Sequence, residues 1–365
     1  MARQLLQAPE LASLLNLLRD EGRIVVGPVP RDGAVALEAL ESLADLPRGM
    51  RDVQDPGHFR LESTGSSRFF DVTLGPQSPR RWMQPPRELL FRARSSDEGF
   101  QVERPEPPPK LALIGARACD LAALAISDRV FRGTFEDPRY ASRREGLFVV
   151  AVQCGRAAST CFCASMDTGP RVAQGFDLCL TELDDEAGHR FLVEVGSAAG
   201  QALLDRLPTT PPGADADAPE QAANRAEGQM SRRLGTEGLR ERLLAALEGP
   251  HWDEVATRCL GCANCTMVCP TCFCSTVDDI TTLDGAHERV RRWDSCFNPD
   301  HSYVHGHGPV RASLGDRYRQ WLTHKLATWH DQFDSSGCVG CGRCIAWCPA
   351  GIDLVAEAER AGSTT

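Results

Sequence analysis

Cys259–Pro270, CLGCANCTMVCP, and Cys338–Pro349, CVGCGRCIAWCP, are two copies of one pattern. Each spaces its cysteines as CxxCxxCxxxCP. In the first copy these are Cys259, Cys262, Cys265 and Cys269, and in the second Cys338, Cys341, Cys344 and Cys348. Three closely spaced thiolates cup three irons of a four-iron, four-sulfur cubane, and the fourth cysteine, turned away by the proline after it, reaches the other cluster. The spacing therefore assigns Cys259, Cys262, Cys265 and Cys348 to one [4Fe-4S] cluster, and Cys338, Cys341, Cys344 and Cys269 to a second.

This is the spacing of bacterial ferredoxins. The alternative is structural zinc, which pairs two CxxC knuckles or joins a knuckle to two histidines. A three-cysteine run closed by Pro270 or Pro349 has a different form. A zinc-stabilised interaction or nucleic-acid module would also need a basic face, whereas the net charge is −10. That charge gives no general attraction to nucleic acid or anionic lipid, so proteins are the expected partners.

The chain has 365 residues, 42% apolar and 25% charged, and is long enough for more than one core. Its 16 cysteines would suggest disulfides only in a secreted protein. The N-terminal stretch has leucines at helical spacing but carries Glu10, Asn16 and Arg19, which reads as an amphipathic helix rather than a signal peptide. The apolar run near Leu147–Val152 is too short to span a bilayer. The expectation is a cytoplasmic protein whose reduced thiols bind metal.

Taken in order, the first helix is followed by a short strand over Arg23–Val29. Residues 30–110, rich in Pro, Gly and Arg, give no clear secondary structure. Leu111–Ile114 then reads as a strand, DLAALAISDRVF as a helix with Asp120 as its N-cap, and Gly146–Val152 as a second strand, together a parallel pair with a right-handed crossover. Cys119 and Cys154 directly follow these strands, at the edge where open α/β sheets bind ligands. STCFCAS adds Cys161 and Cys163. These four are candidate ligands of a third cluster; the alternative is buried, inert thiols. A further alternative makes Cys161 and Cys163 a redox-active pair, although CxC lacks the CxxC form of such motifs. Cys179, in a hairpin turning at Asp-Asp-Glu-Ala-Gly, is read as a core residue.

The Pro-, Ala- and acid-rich residues 207–231 are expected to be a disordered linker, dividing an α/β domain over 1–206 from a mainly α-helical dicluster ferredoxin domain over 232–365. Helical spacing resumes at Leu239, Leu243, Leu244 and Leu247, and again over Asp316–Phe333. Cys272 and Cys274 in CPTCFC, with Cys296 in RRWDSCF, either pack around the clusters or ligate another centre. His301, His305 and His307 read as loop residues rather than ligands.

Together GARACDLAAL, CFCASMDTGP, CANCTMVCPTCFC, RRWDSCF, YRQWLTHKLATWHDQF and GCVGCGRCIAWCPAGID resemble the β subunit of the cytoplasmic NAD(P)-linked nickel-iron hydrogenases, or sulfhydrogenases. The same family includes the A subunit of anaerobic sulfite reductase. The resemblance covers nearly the whole chain apart from 207–231. It implies a non-catalytic iron–sulfur subunit relaying electrons between a flavin-containing NAD(P)H-oxidoreductase subunit and the small and large hydrogenase subunits, or a sulfite or polysulfide reductase. The residues agree with a relay: no GxGxxG follows a strand, and no P-loop, Ser-His-Asp set or nickel-binding CxxC pair is evident.

Overall fold

In the computed structural model, which describes residues 2–73, 75–97 and 99–363, the strands in chain order are β1 (Arg3–Gln7), β2 (Ile24–Arg31), β3 (Ala34–Ala39), β4 (Met50–Asp55), β5 (His58–Ser63), β6 (Arg87–Ser96), β7 (Gly99–Glu103), β8 (Leu111–Ala116), β9 (Leu147–Val152), β10 (Leu178–Asp185), β11 (Gly188–Val195), β12 (Thr209–Thr210), β13 (Ser275–Thr281), β14 (His287–Trp293), β15 (Tyr303–Val304) and β16 (Gly308–Pro309). One sheet runs β12-β1-β11-β10-β9-β8-β2-β3. Its centre, β10, β9, β8 and β2, is parallel, and its flanks are antiparallel.

Central strands read as continuous apolar runs because both of their faces are covered. Ala112, Ile114, Phe148 and Val150 join one core with Leu11, Leu14 and Leu18 of the helix Leu11–Asp20. Leu113, Val149 and Ala151 project to the opposite core with Leu121, Leu124 and Tyr140, as the two-residue strand period requires. Cys179 lies there too, fully buried. The parallel β8–β9 pair crosses over through the helix Ala118–Phe131, and the β10–β11 hairpin turns between Asp185 and Gly188.

Several local expectations are corrected. The first residues form β1 rather than helix, because Arg3–Gln7 pairs along the whole of its length with β11. Residues 30–110, which show no clear pattern, carry β3 to β7. Asp120 is not the N-cap of its helix: Arg117 holds that position, and Asp120, one turn in, accepts the Arg117 backbone N–H at 3.1 Å. The stretch 207–231 is not without structure, since it contains the helix Ala218–Gly228, whose Ala222, Ala223 and Ala226 are buried. Small alanines give a helix face that packs closely without the large apolar side chains from which periodicity is read.

The C-terminal third is built from short helices, including Leu239–Ala245, His251–Ala256 and Leu314–Thr323, around Trp252, Phe297, Tyr318, Trp321 and Leu322. It is not purely helical. β13 and β14 project from it and join β6 and β7 in a second antiparallel sheet, order β13-β14-β6-β7. Glu88 of β6, its side chain 3% exposed, meets Arg139, Arg143 and, across the pairing, Arg291 of β14. Two segments far apart in sequence are thereby locked at one buried charge cluster.

Candidate metal centres

Cys259 leaves the end of the helix His251–Ala256, and Cys265 lies in the one-turn helix Asn264–Met267, entered through Ala263 at φ 63°. That reversal turns Cys259, Cys262 and Cys265 to one side. Cys348 completes the ring from the second run, and Phe297, Tyr318, Trp321 and Leu354 line the same apolar cavity. The Gly261 and Ile352 N–H groups each donate to a ring sulfur, Cys259 Sγ and Cys348 Sγ, at 3.4 Å. The Asn264 side chain donates to the Trp347 carbonyl, tying the two runs together.

Cys338, Cys341 and Cys344 form the corresponding group in the second run, and each interacts electrostatically with Cys269 of the first. Gly340 N–H donates to Cys338 Sγ at 3.4 Å. Burial pushes the Cys338 thiol up to about 12 and raises Cys259, Cys265, Cys341 and Cys344 as well. Such thiols keep their protons until a metal displaces them. Cys269 goes the other way, lowered by a hydrogen bond from Cys272 and then by Lys325, whose ammonium lies 3.3 Å from its sulfur.

The donor set suits a cubane: Cys259, Cys262 and Cys265 of one run and Cys348 of the other line one apolar cavity.

Cys119, Cys154, Cys161 and Cys163 also come together. Cys163 interacts with Cys154, Cys161 and Cys341, and Cys119 with Cys163 and Cys341. Burial raises all four, Cys161 to about 12. Their loop is pressed against the second run: Phe162 N–H donates to the Gly340 carbonyl at 2.8 Å, and Thr168 Oγ1 to the Val339 carbonyl at 2.7 Å. Gly340 and Gly342, at φ 61° and 74°, make this approach possible, since a Cβ on either would stand 2.6 Å from Cys163 backbone or 2.3 Å from the Thr160 carbonyl.

Cys272, Cys274 and Cys296 lie beyond Cys269, each half-buried. Cys272 interacts with Cys269, and Cys274 with Cys296 and His301. His301 thus has a structured place, unlike the exposed His305 and His307. Three buried cations went unread in the sequence. Arg343 donates to Asp120 at 2.9 Å and to the Gly75 carbonyl at 3.1 Å, beside Cys341. Lys325 also donates to Thr271 Oγ1 and the Gly337 carbonyl. Arg80 stacks 3.8 Å over Trp293 beside Cys272 and Cys274, with Nε and Nη2 lacking a partner among the described residues. The signal available was proximity in sequence for Arg343 alone.

The 4Fe-4S dicluster domain family matches residues 258–352, spanning both cysteine runs. Over 347 residues, covering 93% of this chain and 92% of the relative, the chain is 30% identical to the sulfhydrogenase 2 subunit beta of Pyrococcus furiosus. No solved structure matches it, and among the described residues no helix is long and apolar enough to cross a membrane. Likeness of this extent, carried through both cysteine runs, means that the chain belongs to the family of iron–sulfur β subunits of the sulfhydrogenases.

Proposed function

We propose that this electron-transfer subunit passes electrons one at a time through three [4Fe-4S] clusters, between a flavin-containing NAD(P)H-oxidoreductase subunit and a nickel-iron hydrogenase module, in the cytoplasm. Cys259, Cys262, Cys265 and Cys348 hold the first cluster; Cys338, Cys341, Cys344 and Cys269 hold the second; Cys119, Cys154, Cys161 and Cys163 hold the third. The supporting observation is contiguity. The first two groups exchange a cysteine between runs, and the third shares the surroundings of Cys341 with the second. Bound clusters supply the redox change; the chain sets each potential through N–H···S bonds, buried cations and exclusion of water.

Iron and acid-labile sulfide analysis of anaerobically prepared protein, with EPR after dithionite reduction, tests the reading. About twelve irons per chain are expected, four per cubane. About eight would make the Cys119 group structural and confine the path to the C-terminal third. Attachment to a sulfite or polysulfide reductase is the second reading; the relative's name favours the hydrogenase, and co-purification with nickel-containing or sirohaem-containing subunits separates the two.

A further inference from the structure

We propose that the polar cavity at the carboxyl end of β9 and β10 binds the phosphoryl group of a small molecule, held by Arg68, Arg156, Arg225 and the Thr181 hydroxyl. Leu180 pairs with Val152 in the last rung of the parallel β9–β10 ladder, and the edge beyond such strand ends is where open α/β sheets leave a crevice. Arg156 comes from the turn after β9 and Thr181 from β10. Arg51 belongs to β4, Arg68 to the segment after β5, and Arg225 to the helix Ala218–Gly228. Segments distant in sequence thus meet around one cavity of about 260 Å³, and among the described residues no cysteine lines it.

The arginines are not spent on their neighbours. Arg51 closes on Asp71 Oδ2 at 2.8 Å. Arg156 donates to Asp52 and, through Nε, to the Asp71 carbonyl at 3.2 Å, which leaves its Nη1 without a hydrogen-bond partner among the described residues. Arg68 donates through Nη1 to the Glu182 carbonyl at 3.2 Å and keeps its remaining N–H groups for the cavity. Arg225 has no hydrogen-bond or ion-pair partner among the described residues. The Glu182 carboxylate is turned away: Oε1 accepts the Phe69 N–H at 2.6 Å, Oε2 accepts the Phe70 N–H at 2.9 Å, and His189 Nε2 stands 2.9 Å from Oε1. Four guanidinium groups against the carboxylates of Asp71 and Glu182 leave two positive charges on the lining. Thr181 supplies an independent sign of a ligand. It is 1% exposed and lines the cavity, yet its Oγ1 has no partner among the described residues, a state in which buried hydroxyls are seldom left.

Charge and size select the ligand. Guanidinium forks match oxyanions in a planar, two-pronged geometry. A carboxylate neutralises only one of the two charges, whereas a phosphate monoester carries about −1.5 to −2 at pH 7 and offers three acceptor oxygens. Those oxygens suffice for three guanidinium groups and the Thr181 O–H. At about 30 Å³ per water the cavity has the space of about nine waters, below the roughly 300–1,000 Å³ of sites for drug-sized ligands. Free phosphate or a short-chain phosphate ester fits this space, with Phe70 and Val152 beside the carbon chain; a nucleotide exceeds it. The bound anion would tie the helix Ala218–Gly228 to the sheet through Arg225.

The test uses the full chain, prepared anaerobically with its iron and titrated by calorimetry with glycerol 3-phosphate, inorganic phosphate, succinate and AMP. Glycerol 3-phosphate should saturate a single site per chain. Arg225→Gln, at an exposed position, and Thr181→Val, of nearly the same shape, should each weaken it by about tenfold or more while iron content stays unchanged. Without phosphate, Thr181→Val should unfold at no lower a temperature than the parent, because it deletes a hydroxyl that bonds nothing; a lower unfolding temperature with unchanged binding would make Thr181 structural and overturn its place in the site. Arg31→Gln, exposed and outside the cavity, should bind as the parent does. Inorganic phosphate bound as tightly as the ester supports the site and makes the free ion its ligand. Succinate or AMP bound as tightly as the ester overturns the ligand class. The absence of saturable binding, or an equal loss in Arg31→Gln, overturns the site.

Discussion

At the scale of single residues, the decisive feature is that a cysteine can belong to the distant run rather than its own. Cys269 lies among Cys338, Cys341 and Cys344, and Cys348 beside Cys259, Cys262 and Cys265. Replacing Cys269 with Ser should therefore abolish or alter the EPR signal of the cluster on Cys338, Cys341 and Cys344 while its sequence neighbours keep theirs. The reverse result would refute the ligand assignment. Lys325 offers a second test. Burial opposes its charge, yet the thiols of Cys269, Cys272 and Cys338 hold the ammonium ionised. Lys325→Met should lower the potential of the second cluster by about 60 mV in a redox titration, the one-electron equivalent of about 1.4 kcal/mol of lost attraction for the reduced state. The cysteine spacing was legible in the sequence. Lys325 was not, because nothing in a helical stripe marks the one lysine that turns inward.

At the scale of elements, the helix continuing Leu314–Thr323 explains that turn. Residues His324–Thr328 form a π-helical segment before Trp329–Phe333, and such a bulge shifts side-chain direction relative to a regular helix. The helix was readable from its apolar stripe, whereas the bulge depends on which contacts reward it. The four-stranded sheet makes a second element-scale prediction. Glu88 is buried, which alone would raise its pKa, but Arg139, Arg143 and Arg291 lower it. A carboxyl depressed on folding contributes stability that is fully present above its unfolded value of about 4.3 and disappears as pH falls through the folded value. Thermal unfolding monitored against pH should show this loss in the acid range. Glu88→Gln should remove it and cost about 3 kcal/mol at neutral pH, since three guanidinium groups lose their buried anion. A substitution without effect on either measurement would show that β6 and β14 hold together by other means.

At the scale of the whole molecule, the centres are arranged by depth. Cys119, Cys161, Cys163, Cys269 and Cys338 are buried, but Cys262 is exposed and its neighbour Leu260 is 68% exposed. The first ring therefore reaches solvent at Cys262, with an apolar side chain at its rim, and in the proposed relay this is the face for electron exchange with a partner. Leu260→Asp should slow that exchange about tenfold, the equivalent of about 1.4 kcal/mol of encounter stability, with iron content and potentials unchanged. Stopped-flow reduction by a partner subunit measures it, and an unaltered rate would place the exchange site elsewhere.

The sequence by itself determined the cofactor chemistry, the parallel core of the large sheet and the pairing of two cysteine runs, because ligand spacing and two-sided burial of strands are local constraints that leave local patterns. Only the tertiary structure decided the rest. β1 is a strand because β11 offers a partner; Ala218–Gly228 is a helix because its alanine face finds a surface to bury; β6 and β14 meet although the chain between them is long. Arg80, Lys325 and Arg343 acquire meaning only where folding places them beside sulfur. Each of these outcomes depends on energies released between residues distant in sequence, and a pattern read along the chain carries no record of them.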